Sequence, residues 1–478
     1  MSVDMADSAK AYPRLMVAAP YGKSGKTVIT SGLLRALRNQ GVDVRPYKKG
    51  PDYIDPGWHT LACGMQSRNL DPFFMSGEQM RAVMAQASNG ARLSVVEGAM
   101  GLHDGSDLDG STSSAHVAKL TETPVVLVVD VTRMTRTTAA VVLGCMHLDP
   151  DLNVSGVILN RVRGKRHETR IREAVEHFCG IPVVGAIPED NRLVLPDRHL
   201  GLVTALEAQA ADAFLDGAAS VIAAHVDWDA LFAIADSAPD FKLESHAGCG
   251  LSCEVQPDSM PVNIAVVRDD CFSFYYQENL DALVATGAHL VFVNSLEDEG
   301  VPENADGLYI GGGFPEVFAE QLEANARFRE SVRERIRDGI ACCAECGGLM
   351  FLGRSLVTDG KTYNMTGALG FDVEMMEERQ GHGYSVVEVN DGHPWLDAGT
   401  QLVGHEHHHS RVINVSDELE FAYSNKRGGG ISGKRDGLSV GRTVASYVHV
   451  NAIASPQWAK GFVQAAVSYR NSKNSAGC

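Results

Sequence analysis

Pro20-Tyr21-Gly22-Lys23-Ser24-Gly25-Lys26-Thr27 is the stretch that decides the fold of the first half of the chain. An apolar run, residues 15–19, precedes it. A segment from 27 to 39 follows, with Leu33, Leu34 and Leu37 on one helical face. In the phosphate-loop pattern G-x-x-x-x-G-K-[ST], backbone N–H groups cradle phosphate, the lysine reaches the outer phosphates and the hydroxyl holds Mg2+. Gly25, Lys26 and Thr27 fill its last three positions and Gly22, Lys23 and Ser24 its turn, but Pro20 stands where the first glycine belongs. The alternative, a glycine-rich turn with an incidental lysine, does not explain a strand before and a helix after.

Further apolar runs lie at 93–96, 124–131, 154–159 and 181–187, separated by helix-length segments. They predict parallel strands buried on both faces of a doubly wound α/β sheet, with ligands at the strands' carboxyl ends. Two acidic stretches fall at such ends: Tyr47-Lys48-Lys49-Gly50-Pro51-Asp52-Tyr53-Ile54-Asp55-Pro56 and Val96-Glu97-Gly98-Ala99-Met100-Gly101-Leu102-His103-Asp104. Hard cations take carboxylate oxygens, so Asp52, Asp55, Glu97 and Asp104 are candidate Mg2+ ligands or positioners, with Thr27, Asp52 and Glu97 as the expected set. Lys48 and Lys49 offer local positive charge to phosphate or substrate carboxylates. Any one of these carboxylates alone could be a turn or cap residue.

A second strand–helix series begins at residue 262 and continues at 290–293, 307–310 and 339–343. It leads to Ala344-Glu345-Cys346-Gly347-Gly348, a tight turn expected between the strand ending at Cys343 and a helix starting at Leu349. That is the layout of a nucleophile elbow, where a helix N-terminus favours thiolate. A buried structural cysteine is the alternative, against which the flanking glycines argue. The thiol needs a base, and His449 is the candidate. Position 451 is Asn, so a carboxylate two residues beyond is missing; His449 then works in a dyad or is oriented by Asn451. Gly311-Gly312-Gly313, after a strand, are candidate oxyanion donors. In His405-Glu406-His407-His408-His409, neighbours on a strand face opposite ways, which favours a substrate-binding or structural loop over a metal site.

The chain has 478 residues, enough for two or three domains. We place an ATP-binding unit at 12–237, a Ser-, Gly-, Pro- and Cys-rich linker at 238–261 and a second unit at 262–470, with a more β-like, glycine-rich tail from about 362 to 448. A net charge of -18 repels a phosphate backbone and argues against nucleic acid. No apolar run is long enough to span a membrane, and the polar N-terminus lacks a secretion signal, so a cytoplasmic location is expected. The ten cysteines have irregular spacings, expected of free thiols.

Several uncommon strings recur in one order: Lys48-Lys49-Gly50-Pro51-Asp52-Tyr53-Ile54-Asp55-Pro56, residues 67–72, residues 95–105, residues 195–201, residues 311–316, residues 344–348 and residues 404–406. In these the chain resembles the cobyrinic acid a,c-diamide synthase family over nearly its whole length. The resemblance implies a dethiobiotin-synthetase-like domain followed by a class I glutamine amidotransferase domain. It implies that ATP phosphorylates a peripheral carboxylate of a tetrapyrrole and that ammonia, released from L-glutamine at Cys346 with His449 as base, displaces the phosphate. Asp52, Asp55, Glu97 and Asp104 match the family's acidic synthetase positions. The double lysine at 48–49, the strings 134–136 and 380–384, and His407 in place of an aromatic residue depart from the family's usual pattern. The strings 134–136 and 380–384 are similar to relatives acting on sirohydrochlorin, its nickel form or sirohaem, so cobyrinate is the first expectation and the macrocycle stays open. The oligomeric state is open too, a homodimer included. Other readings are an ATP-dependent carboxylase and a non-amidating P-loop regulator or chaperone that binds tetrapyrrole.

Overall fold

A computed structural model describes residues 12–88, 90–195, 197–198, 201–202, 210–241 and 261–476. The chain divides into two compact units, Met1–Cys249 and Gly250–Cys478. The expected linker at 238–261 lies almost wholly outside the described residues.

The first unit contains β1 (Arg14–Ala18), α1 (Lys26–Asn39), β2 (Val44–Lys49), α2 (Ile54–Cys63), β3 (Arg68–Leu70), α3 (Gly77–Ala87), β4 (Leu93–Glu97), α4 (Ser114–Leu120), β5 (Val125–Asp130), α5 (Thr137–His147), β6 (Val154–Val162), α6 (Lys165–Cys179) and β7 (Val183–Pro188). A two-residue pair, β8 (Asp197–Arg198) and β9 (Gly201–Leu202), precedes α7 (Ala211–Ala223) and α8 (Trp228–Asp236). The sheet order is β3-β2-β4-β1-β5-β6-β7, parallel throughout. Leu15 and Val17, Val95, Val126 and Val128 pack against Ile29, Leu33, Leu34 and Leu37 of α1. Burial of each such side chain contributes about 1.5–3 kcal/mol and holds α1 against the sheet, fixing the loop between β1 and α1. Consecutive strands run to opposite sides of β1, so the carboxyl ends of β1 and β4 flank the reversal where a ligand crevice is expected.

The second unit contains β10 (Val262–Val267), α9 (Gln277–Ala285), β11 (Ala288–Val293), β12 (Gly307–Ile310), α10 (Ala319–Ala324), α11 (Ala326–Arg337), β13 (Ala341–Glu345) and α12 (Gly347–Leu352). The β-rich tail follows: β14 (Ser355–Thr358), β15 (Lys361–Asn364), β16 (Asp372–Met375), β17 (Gly381–Val389), β18 (Gln401–His408), β19 (Ser410–Ile413), β20 (Glu420–Arg427), β21 (Arg435–Val440), β22 (Thr443–Ser446) and β23 (His449–Val450), then α13 (Pro456–Ala476). The main sheet runs β11-β10-β12-β13-β22-β21-β20-β17-β18-β23, its first five strands parallel and the rest antiparallel. Both faces are covered: Ala265, Leu308, Cys342 and Ala344 join one apolar cluster, Ile264, Tyr309, Ala341 and Cys343 the other. This two-residue alternation along each strand decides which way Glu345 points.

The strand before the thiol runs two residues further than the sequence suggests, through Glu345, and α12 starts at Gly347. Residues 344 and 345 are held because β13 pairs with β22 on its far side, matching Ala344 to Ala445 and Glu345 to Ser446.

Candidate active sites

In the first unit the phosphate-loop residues lie between β1 and α1. Lys23 has φ 60° and Gly25 φ 92°, left-handed backbone that turns the loop over the start of the helix. Ser24 is buried; its hydroxyl donates to the Tyr21 carbonyl (2.8 Å), and its own carbonyl accepts from Asn160 Nδ2 (2.9 Å). A methyl at Gly25 would collide with that Asn160 amide. Asn160, on β6, thus clamps the loop; it was not singled out from the sequence, since 136 residues separate it from Ser24. Lys26 is buried and donates from Nζ to the Met100 carbonyl (2.6 Å); burial lowers its pKa.

Thr27 Oγ1 donates to Glu97 Oε1 (2.8 Å) and lies 3.2 Å from Asp55 Oδ2. Lys48 Nζ bridges the same two carboxylates, 2.8 Å from Glu97 Oε1 and in an ion pair with Asp55. Burial alone would raise Glu97, but Lys48 and His59 more than offset it and hold the carboxyl well below its ordinary range. Burial, and then Asp52, pushes Asp55 up. The carboxylate beside Thr27 and Glu97 is therefore Asp55, where Asp52 was expected. Asp52 sits at the start of α2, where its Oδ1 accepts from the N–H groups of Ile54 (2.9 Å) and Asp55 (3.2 Å), while its Oδ2 lies 3.8 Å from Lys48 Nζ. Tyr53 is the residue preceding α2. Asp104 Oδ2 accepts from the Gly101 N–H (2.9 Å) and fixes the loop after β4, and burial lowers the pKa of Lys49, with Asp71 opposing the shift. His59, overlooked in the sequence, contacts Glu97 Oε2 through Nε2 at 2.6 Å with both side chains fully buried.

Thr27, Asp55 and Glu97 are hard oxygen donors of the kind magnesium takes, and Lys48 Nζ bridges the Asp55 and Glu97 oxygens that a cation would use. Among the described residues no three His, Cys, Asp or Glu side chains form a metal-holding group. A cation held here would draw its remaining ligands from phosphate and water, as magnesium does in nucleotide sites. Along β18, His405, Glu406 and His408 are buried and His407 is exposed.

In the second unit Cys346 has φ 50° and ψ -101°, the strained conformation of a nucleophile at a strand–helix elbow. The flanking glycines are sterically required: a methyl at Gly347 would lie 2.9 Å from the Gly313 nitrogen, and one at Gly348 would strike the Ile310 carbonyl. Cys346 N donates to the Ser446 carbonyl (2.7 Å), anchoring the turn to β22. Contrary to the expected helix-terminus activation, burial pushes the Cys346 thiol up to about 12, with Glu316 adding to it. A six-residue helix and burial of the side chain favour the neutral thiol.

His449 pairs with His405 across β23 and β18, and the two rings stack with centroids 4.9 Å apart. Burial pushes His449 down to about 3. Its ring borders the Gly311–Gly313 loop: a methyl at Gly312 would strike His449 Cε1 and approach Nε2 at 3.2 Å. Cys346 Sγ lies 3.9 Å from the carbonyl of His407, on the same strand β18. Thiol, imidazole and glycine loop therefore share one end of the sheet. The Gly311 N–H is already donated to Tyr275 Oη (2.7 Å), which leaves Gly312 and Gly313 of the three expected oxyanion donors. Asn451 does not orient the imidazole through its oxygen, since Oδ1 accepts from Ile453 N (3.1 Å) and Ala454 N (3.2 Å).

Fold and sites define a class: a P-loop nucleotide-binding domain and a glutamine amidotransferase domain in one chain. Residues 15–203 match the CobQ/CobB/MinD/ParA nucleotide binding domain and residues 263–457 the CobB/CobQ-like glutamine amidotransferase domain. The chain belongs to the cobyrinate a,c-diamide synthase family. It is 40% identical over 447 residues to the cobyrinate a,c-diamide synthase of Magnetococcus marinus, covering 94% of this chain and 96% of that one. It is 43% identical over 458 residues to the protein of the same name from Archaeoglobus fulgidus, covering 95% and 98%. No helix among the described residues is long and apolar enough to cross a membrane.

Proposed function

We propose that this chain amidates the a and c acetate carboxylates of cobyrinate, using ATP and L-glutamine. The observation that carries this reading is end-to-end similarity at 40% and 43% identity to proteins of that name, combined with both sites in one chain. A carboxylate resists ammonia because its charge repels nucleophiles and its oxygen leaves poorly. Phosphorylation removes both obstacles. In the first unit Lys26 and the loop N–H groups would bind and orient the nucleotide phosphates, and Lys48 would neutralise charge as the phosphoryl group moves to the substrate oxygen. Magnesium, held by Thr27, Asp55 and Glu97, would supply charge neutralisation for the same transfer.

In the second unit the Cys346 thiol gives its proton to His449 as sulfur bonds to the side-chain carbonyl carbon of glutamine. Gly312 and Gly313 offer N–H groups to the oxyanion. The C–N bond then breaks as the imidazolium returns the proton to nitrogen, freeing ammonia, and water cleaves the thioester to glutamate. Ammonia displaces phosphate from the acyl phosphate and leaves the amide.

The second reading, a macrocycle of the sirohydrochlorin type, rests on the strings at 134–136 and 380–384. His382 and His407, both in strings that depart from the family pattern, face each other across β17 and β18 with ring centroids 4.9 Å apart. Incubating the chain with ATP, glutamine and each of cobyrinate, sirohydrochlorin, its nickel form and sirohaem, with products counted by mass spectrometry, decides the matter. Two carboxyl-to-amide conversions on cobyrinate are expected. Conversion of another macrocycle alone would overturn the substrate, and conversion of none would overturn the reaction.

A further inference from the structure

The sheet places one more ionisable group beside the imidazole. Glu345 immediately precedes the thiol and lies on β13 with the same facing as Ala341 and Cys343, into the cluster built on Trp458, Val448 and Val450. It is 2% exposed. Oε1 accepts from the Val450 N–H at 3.1 Å and Oε2 from Tyr309 Oη at 2.9 Å. Oε2 is also 3.9 Å from His449 Nδ1. The imidazole thus has Glu345 towards Nδ1 and the Gly312 loop near Nε2.

We propose that Glu345 supplies the carboxylate that position 451 lacks, positioning His449 and balancing its charge when the imidazole takes the thiol proton. This role rests on the glutamine hydrolysis proposed above. A nucleophile–base pair works best when a third group holds the base, and that group is recognised by geometry, not by its place in the chain. Glu345 does this along two routes. The bond to Val450 N–H pins β23, the two-residue strand that carries His449. The carboxylate then sits at ion-pair distance from the far ring nitrogen. A separation of 3.9 Å exceeds a hydrogen bond, and such contacts shorten once charge develops. Burial opposes a charge on either group alone, raising Glu345 to about 8 and depressing His449. An ionised Glu345 facing the imidazolium offsets both penalties, so Glu345 acts once it has released its own proton to solvent and the imidazole has taken the thiol's, and the Glu345→Gln loss is read at pH 8 or above.

The test uses the full chain and Glu345→Gln, which keeps shape and an acceptor for Val450 but not the charge. Glutaminase kcat should fall by about 100-fold, at the lower end of what a positioned base contributes, with the glutamine KM within about twofold. Tyr309→Phe removes one hydrogen bond to the same carboxylate and leaves its charge, so it should keep most of the activity. Amidation from added ammonia should be unchanged in both, and thermal unfolding should show both folded. Wild-type glutaminase in Glu345→Gln overturns this role. So does an equal loss in the two variants with a raised KM and a lowered Tm, which would make Glu345 a structural pin only. A wild-type chain that does not hydrolyse glutamine overturns the proposed function and this role with it.

Discussion

Lys48 shows how a single residue limits what can be tested at the first site. Its ammonium is buried between Glu97 and Asp55, and deleting it would leave buried charges unpaired at about 3–5 kcal/mol. Lys26 bonds a carbonyl instead and is the cleaner probe. Glu345 carries a pH prediction. The folded chain keeps it protonated up to about 8, whereas the unfolded chain releases that proton near the ordinary 4.5. Its stabilising contribution is therefore fully present below about 4.5 and is lost as pH rises through 8. Denaturant unfolding at pH 6 and pH 8 should show wild type losing more stability over that interval than Glu345→Gln, and equal losses would refute the assignment. The sequence made the loop residues 22–27 legible because a phosphate loop is built from neighbours. His59 and Asn160 were not, because their partners Glu97 and Ser24 are set by the register of a parallel sheet. The sequence puts Asp52 ahead of Asp55, because a cap and a ligand use the same carboxylate and nothing in the pattern separates the two tasks.

At the scale of elements, both sites sit where a parallel strand gives way to a helix, and the helix is held by apolar packing that composition does reveal. The elbow's second constraint comes from β12: the glycine loop after it must pass close to β23. Gly312→Ala should push His449 aside, because the new methyl would meet its Cε1. We expect glutaminase to drop by at least about tenfold, with a stability cost of about 1–3 kcal/mol from overpacking and ammonia-dependent amidation retained. Steady-state glutamine hydrolysis and thermal unfolding measure this, and full glutaminase in the variant would refute the packing. The elbow was readable from Cys346 and its glycines, yet the strand's end was not. Apolar patterning stops at Cys343, whereas β13 continues to Glu345 because backbone pairing with β22 needs no apolar side chain.

For the whole molecule, the two units carry separable chemistry. Cys346→Ala should abolish glutamine-dependent amidation and spare amidation from added ammonia, whereas Lys26→Ala should abolish both and leave basal glutaminase. Product assays with each nitrogen donor check this; loss of both amidations in a folded Cys346→Ala chain would refute the division. The two α/β units and the β-rich tail were legible from alternating runs, because long periodic segments speak for themselves. The order of ten strands in one sheet was not, since β17, β18 and β20–β23 return to it from distant sequence.

The buried setting of the thiols has a consequence for the protein's chemical lifetime. Oxidants attack thiolate, not thiol. Burial holds Cys346 near 12, Cys63 and Cys145 near 11, and raises Cys342 and Cys343 as well. On the proposed mechanism Cys346, 6% exposed, should resist peroxide and stray disulfide exchange between turnovers, and should form sulfenic acid only in the interval when His449 holds its proton.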